Sequence, residues 1–419
     1  MLRSSGPLLL LLISIILIPV AVSQNTEQGE ELVLDFLLLG DIDGWPNHLG
    51  EDEPAIDLTL VPCRAYGVDS GTEFGKMYEY LQRWSRIYFP RNPETLLEYE
   101  VLFFNHPRLN FFTMPQQEMT VDFIGTEDKV TIAYPLSHYD DVQQPWLASP
   151  ISEAIPIDFE QFVTACHQGW GQWHGPARLR VEPGLPAVFS AFEGTGMYSA
   201  RIYQQFRPAI PRAGASVWVT GLDGPPSMPE APAFVSWPYG DTEAWGFGVH
   251  PGTGDLHFKE TGKWWELVFL SMCYYTARGE VMGFDEALEK FVVKDLFRVY
   301  RESSSMFHRM ADFVDRFGAN TAEAQRIFLD ADSVRDAAEV HYLGMEYEAA
   351  RSEMENALDI ARVGMDEANR AKDRALTWIY ISQWMATTAA IFISGVTLWW
   401  LMVRRGLYRE VTTTQLSQR

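Results

Sequence analysis

No charged side chain occurs between Arg374 and Arg404 of this 419-residue chain, a stretch longer than the roughly 20 residues an apolar helix needs to cross a bilayer. Trp378, Tyr380 and Trp384 stand near its start, and Trp399 and Trp400 near its end, positions where amphipathic rings favour the two membrane interfaces. A buried core helix rarely runs so long without a charge, so the pattern predicts a transmembrane helix over residues 377–403. Arg404, Arg405 and Arg409 follow this stretch, but Arg370, Lys372 and Arg374 precede it, so flanking charge orients it only weakly. A second apolar run supplies the orientation. Leu8 to Val22 follows Arg3 and closes on Ala21-Val22-Ser23, after which Gln24 to Glu31 is abruptly polar and acidic. That is the pattern of a cleaved signal peptide, residues 1–23, rather than of a span. The expectation is a single-pass protein at the cell membrane, with its N-terminal part extracytoplasmic and a short basic tail, residues 404–419, in the cytoplasm.

The formal net charge of −23 excludes a nucleic-acid partner, which requires a basic footprint. Hydrophobic residues make up 47% of the chain, with 14 Trp and 25 Phe, ample for a large packed core. Three cysteines, Cys63, Cys166 and Cys273, permit at most one intramolecular disulfide, so cross-links do not hold such a fold together. No cofactor is expected.

The part outside the membrane changes character near residue 283. Before it, apolar runs alternate with amphipathic stretches and Pro/Gly-rich loops, which predicts an α/β ectodomain over residues 24–282. Leu32 to Leu39, Ile56 to Val61, Val101 to Asn105 and Val130 to Tyr134 are near-continuous apolar runs of the kind found in parallel strands buried on both faces. Glu73 to Tyr88 and Gln116 to Ile124 have helical spacing. The order β-β-α-β-α-β predicts an open, doubly wound, mostly parallel sheet. Val142 to Ala215 is loop-rich around a helix from Pro156 to Cys166. Ser216 to Thr220 resumes as a strand, Ala233 to Trp237 and Ala244 to Val249 form a hairpin, and Lys263 to Tyr275 returns to helix.

After Gly283 the period is helical throughout. Leu288, Phe291, Val292 and Leu296 mark one face of a connector over residues 283–318, continued by Met306, Met310, Phe313 and Phe317. In residues 319–376 two seams repeat at spacings of three and four: Ala324, Ile327, Ala331, Val334, Ala338 and His341, then Tyr347, Ala350, Met354, Ala357, Ala361, Gly364, Ala368, Ala371 and Ala375. This is a heptad pattern. With Gly344 as the turn it predicts an antiparallel helical hairpin whose small seam residues allow close approach of the partner helix. The stretch Ala337 to Leu358 also faintly resembles one tetratricopeptide-type helix pair, although no second copy accompanies it.

Gly214-Ala-Ser-Val-Trp-Val-Thr, the stretch Pro232-Ala-Phe-Val-Ser-Trp-Pro-Tyr-Gly-Asp-Thr-Glu-Ala-Trp-Gly-Phe-Gly-Val-His250, and Trp264-Trp265 to Tyr275 resemble the closing half of a class I glutamine amidotransferase-like domain. Tyr99-Glu-Val-Leu-Phe-Phe-Asn105 and Lys129 to Tyr134 extend the likeness over residues 31 to 280. The resemblance implies a flavodoxin-like sheet. The hairpin, the tryptophan-flanked span and the arginine-rich tail resemble membrane-anchored prokaryotic, chiefly archaeal, surface proteins carrying such a domain. An active amidotransferase needs a cysteine on a sharp strand-to-helix elbow. The residues after Val130 to Tyr134 are Pro135-Leu-Ser-His-Tyr, without cysteine and without the glycines an elbow requires. The head is therefore expected to be a pseudoenzyme with no catalytic residues.

In a doubly wound sheet, ligands bind outside the carboxyl ends of the strands. Asp41 and Asp43 follow the first strand, His106 the third, and His138, Asp140 and Asp141 the fourth. These are the candidate ligand-binding residues. Their spacing matches no defined metal loop, and turn or helix-capping roles are the ordinary alternative. Cys166, His167 and His174, beside Trp170 and Trp173, read as aromatic packing under a loop; weaker alternatives are a zinc group or a platform for a sugar or peptide. The expected function is a surface protein that binds a small molecule or a protein partner outside the cell, with homo-oligomerisation through stalk and span as an option. A membrane-tethered hydrolase and a structural subunit of a surface complex are the alternatives.

Overall fold

The computed structural model describes residues 33–41, 50, 52–64, 74–134, 140–167, 178–184, 186–194, 208–226, 228–248, 261–279, 281–316 and 320–416. The expected signal peptide, the residues after the fourth strand where an elbow would fall, Trp170, Trp173 and His174 lie outside them. The chain divides into two compact units, Met1–Arg298 with Ala337–Ser352, and Val299–Asp336 with Glu353–Arg419.

The first unit is built on an eight-stranded sheet. Along the chain run β1 (Leu34–Asp41), β2 (Ile56–Arg64), α1 (Phe74–Tyr88), α2 (Pro93–Leu97), β3 (Val101–Asn105), α3 (Met114–Ile124) and β4 (Val130–Tyr134). Then follow α4 (Asp140–Leu147), α5 (Ile151–Ala154), α6 (Phe159–His167), β5 (Arg178–Val181), α7 (Ala187–Ser190), β6 (Ser216–Leu222), β7 (Ala231–Tyr239), β8 (Thr242–Phe247) and α8 (Thr261–Arg278). The strand order is β2-β1-β3-β4-β8-β7-β6-β5. From β2 to β8 every pairing is parallel; from β8 to β5 every pairing is antiparallel. The sheet is therefore mixed, parallel in one half and a meander in the other.

Burial explains why the parallel half reads as unbroken apolar runs. Every residue of β3 and of β4 is buried, and Leu34, Phe36, Leu37 and Leu38 of β1 are fully enclosed. Successive side chains of a strand point to opposite faces. Phe103 meets Phe269 of α8 with ring centroids 5.3 Å apart, while Phe104 meets Trp146 of α4 at 5.6 Å. Helices thus cover the sheet on both faces. On the edge strand β2, Pro62 lacks an N–H, which an edge position tolerates.

The stretch expected to be loop-rich, Val142 to Ala215, instead contains α4 to α7 and the edge strand β5. These elements are short, Pro145 sits inside α4, and β5 buries Leu179 alone, so neither period extends far enough to show in the sequence.

Three helices complete the chain: α9 (Phe284–Asp315), α10 (Ala322–Leu343) and α11 (Tyr347–Leu416). The buried face of α9 differs from the one expected. It carries Ala287, Lys290, Phe291, Val293, Lys294 and Phe297, whereas Leu288 is exposed. An apolar stripe was the wrong guide because the lysines belong to the inner face.

In the second unit the seam of α11 is as spaced: Met354, Ala357, Ala361, Gly364, Ala368 and Ala371 are all buried. On α10 Ala324, Ala331 and Ala338 are buried as spaced, but Phe328 is buried in place of the expected Ile327, and Ile327 and Val334 are only half-buried. The larger apolar ring takes the interior. Phe328 stacks on Phe307 of α9 at 3.8 Å. A Cβ at Gly364 would stand 2.7 Å from Phe328 Cδ2, so the small residue there makes room for a ring rather than bringing two backbones together. Tyr300 donates to Asp332 Oδ1 at 2.8 Å, and burial pushes its phenol pKa up. Within α11, Tyr347–Gly406 includes a window of mean hydropathy 1.7, none of it buried, long and apolar enough to cross a membrane.

Candidate functional site

The direction in which strands are added reverses at β1, with β2 on one side and β3 on the other. At such a reversal the loops leaving the two strands part and open a crevice beyond their carboxyl ends. Here the two backbones approach closely. Gly40 pairs with Asn105 and has φ +149, and a Cβ on it would lie 1.7 Å from the Asn105 carbonyl oxygen. No side chain fits at position 40.

Directly after β3, His106 adopts a left-handed conformation, φ 54, uncommon outside glycine. Its N–H donates to the Tyr134 carbonyl at 2.9 Å, and its ring meets that of Tyr134 edge-on at 4.5 Å. The residue is 8% exposed. The segment that follows is pinned from three helices. Trp146 Nε1 of α4 donates to the Pro107 carbonyl at 3.1 Å. Gln117 Nε2 of α3 donates to the carbonyls of Leu109 and Phe112 at 3.0 and 3.1 Å, and its Oε1 accepts from Ser149 Oγ at 2.7 Å. Arg86 Nε of α1 donates to the Phe111 carbonyl at 3.1 Å. Arg108 is buried, with its guanidinium 5.5 Å from the centre of the Tyr78 ring. The loop after β3 is thus held from three helices and carries an imidazole on a left-handed backbone, a geometry found more often at functional positions than elsewhere.

Of the expected ligand-binding residues, Asp41 ends β1, His106 follows β3, and Asp140 and Asp141 open α4 beyond β4. The topology brings these three strand ends side by side. Asp43 and His138 lie outside the described residues. Cys166 and His167 close α6. Among the described residues no group of three or more His, Cys, Asp or Glu could hold a metal ion.

A second polar cluster, unforeseen from the sequence, lies at the amino-terminal ends of β1 and β2. Glu53 is 1% exposed. Its Oε1 accepts from Tyr342 Oη at 2.7 Å and from the Ala55 N–H at 3.2 Å, and stands 3.9 Å from Lys290 Nζ. Lys290 Nζ sits 3.8 Å from the centre of the Tyr274 ring, and Lys294 pairs with Glu266. Burial lowers both lysines, Lys294 to about 8, and pushes the Cys273 thiol up. The spacing of Ala287, Lys290, Lys294 and Phe297 at three and four carried the signal.

No protein-family model and no curated protein matches the sequence. Among solved structures, a cytoplasmic protein from Salmonella typhimurium LT2 aligns over 58% of this chain and 99% of its own, at 9% identity and a TM-score of 0.39.

Proposed function

We propose that the chain is a single-pass membrane protein whose α/β head binds a small molecule or a segment of a partner protein in the crevice beyond β1, β3 and β4, without catalysing a reaction. The observation that carries the reading is the pinned loop at the end of β3, where side chains from α1, α3 and α4 fix the backbone around His106. Such expenditure on one loop is expected where a ligand must be met by preformed geometry. The strand order β2-β1-β3-β4 and the helices on both faces support a flavodoxin-like, amidotransferase-like head. The absence of cysteine from Pro135 to Tyr139 supports the loss of amidotransferase chemistry. The exposed apolar stretch of α11 supports membrane anchoring, and the apolar run at the N-terminus supports an extracytoplasmic head.

Thermal-shift screening of the detergent-purified chain against a metabolite and short-peptide panel, repeated with His106→Gly and Arg86→Met, tests the binding site. The expected result is a ligand whose stabilisation disappears in both variants while each still melts cooperatively. A ligand that stabilises the variants as strongly as the parent protein moves the site elsewhere. Release of ammonia from glutamine, blocked by a thiol reagent, overturns the non-catalytic reading.

A further inference from the structure

Four ionisable side chains, Glu53, Lys290, Lys294 and Tyr342, are between 1% and 5% exposed and belong to no part of the crevice. They meet where the hairpin turn joins the sheet unit. Tyr342 lies in the last turn of α10, two residues before Gly344, and its hydroxyl donates to Glu53 Oε1. The tyrosine ring is also held edge-on by Phe297 at 5.6 Å and by Tyr347 at 5.5 Å. A small cavity lined by Tyr274, Met282, Lys290, Tyr342, Met345 and Tyr347 separates the turn from the wall behind it. Met345 at its mouth is 38% exposed and takes a left-handed conformation, φ 60.

An apolar plug would dock such a turn without difficulty. A buried lysine and carboxylate carry a desolvation penalty that their attraction does not always repay, so the same surface is held less firmly than its burial suggests. We infer that the hairpin turn is a proton-sensitive latch, docked through Tyr342 onto Glu53 and Lys290 and released more readily as protons bind Lys290.

The groups facing Lys290 come from four elements. Glu53 approaches from the segment before β2, Glu286 from the preceding turn of α9, Cys273 and Tyr274 from α8, and Tyr342 from α10. Burial keeps the Cys273 thiol and the Tyr342 phenol neutral by raising both, which leaves Glu53 and Glu286 as the facing charges. Burial lowers Lys290 in the docked form, whereas a lysine in water titrates near 10.4. The docked form therefore binds this proton less readily than the released form. Docking is strongest toward the alkaline end of that window and weakens as pH falls toward the depressed value. Toward pH ~9 the ordinary titration of thiols, centred near 8.5, acts with the opposite sign, so the slope is read below it.

The test is amide exchange by mass spectrometry on the full chain in nanodiscs between pH 6.5 and 9, expressed as protection factors so that intrinsic exchange rates cancel. Protection of residues 337–352 should rise with pH, by up to about tenfold per unit where the proton is exchanged, while protection of β3 and β4 stays level. Lys290→Met should reduce that slope, the remainder belonging to Lys294, which burial lowers to about 8, and keep the turn protected; Lys290→Gln serves if the methionine variant does not fold. Tyr342→Phe, which removes the hydroxyl and keeps the ring, should lower protection at every pH and retain the slope. A flat profile in the parent protein, an unchanged slope in the folded Lys290 variant, or exchange of the turn only together with β3 and β4 overturns the latch.

Discussion

Residues 347–375 and 378–403 lie on one uninterrupted helix, yet they distribute apolar side chains in opposite ways. In the first stretch the buried apolar residues are mostly small and lie on one seam, and Glu355 and Asp359 on the outer face are exposed. In the second they are large and point in every direction. Trp378, Trp384, Phe392 and Trp399 are 71%, 72%, 72% and 67% exposed. A helix facing protein on one side and water on the other needs a stripe, whereas a helix facing lipid needs apolar surface all round. The backbone is the same in both, and the surroundings are written in the side chains alone. The proposed membrane boundary falls between Arg374 and Trp378.

Removing the ring that fills the seam is the severest way to break the first half of this comparison. Phe328→Ala takes away the partner of Phe307 and of Gly364, and should cost about 3–5 kcal/mol, read as an earlier loss of helical signal in denaturant. Phe392→Arg attacks the second half. On an insertion scale an arginine near the centre of a span costs about 2.5–3.5 kcal/mol, so the variant should partition partly into the soluble fraction on carbonate extraction with its denaturant midpoint unchanged. Full retention in the membrane would place the span elsewhere. Ala357→Leu overpacks the seam and should cost about 1–3 kcal/mol. Gly364→Ala gains about 1 kcal/mol of helix propensity but must displace the Phe328 ring, and a net loss of about 1 kcal/mol is expected from the clash. Glu355→Leu, on the exposed face, should lie within about 0.5 kcal/mol of the parent. Equal effects at positions 355 and 357 would remove the seam from the comparison altogether.

How far the sequence carries depends on how much of an element is decided locally. β3 and β4 appear with the bounds expected from their apolar runs, Val101–Asn105 and Val130–Tyr134, because a strand buried on both faces leaves no polar position to blur its ends. The α11 seam was legible for a related reason, since nine positions at spacings of three and four leave one choice of face. On α10 that logic fails at single positions, where the neighbouring Phe328, about 100° round the helix, takes the interior in place of Ile327, a choice that only its partner ring determines. β5 was not legible. Arg178-Leu-Arg-Val is too short to show alternation, and its arginines are occupied by Asp223, Glu182 and Glu230, residues distant in sequence or beyond the strand.

At the candidate crevice the sequence supplied the strand ends and therefore Asp41, His106, Asp140 and Asp141 as neighbours in topology. It could not supply the left-handed backbone of His106 or the carbonyls that Trp146, Gln117 and Arg86 hold in place, which depend on three helices meeting one loop. Glu53 is hidden from the sequence for the opposite reason. Its surroundings, Glu51-Asp-Glu-Pro54, look like solvated acidic loop, and the hydroxyl that donates to it is contributed from 289 residues further along the chain.

That separation has a consequence for how the molecule is made. A chain emerging from the ribosome delivers β1 to β8 first, but the tyrosine that covers Glu53 follows only after α9 and most of α10, a short distance before the segment proposed to enter the bilayer. Until then Glu53 lacks the hydroxyl that donates to its Oε1. The entropic toll of closing so long a loop is modest, each doubling of length adding only about 0.6 kcal/mol, but contacts this remote in sequence form late. Synthesis of the head therefore ends close to the proposed span, and a fragment that stops before Ala337 lacks the tyrosine that covers Glu53.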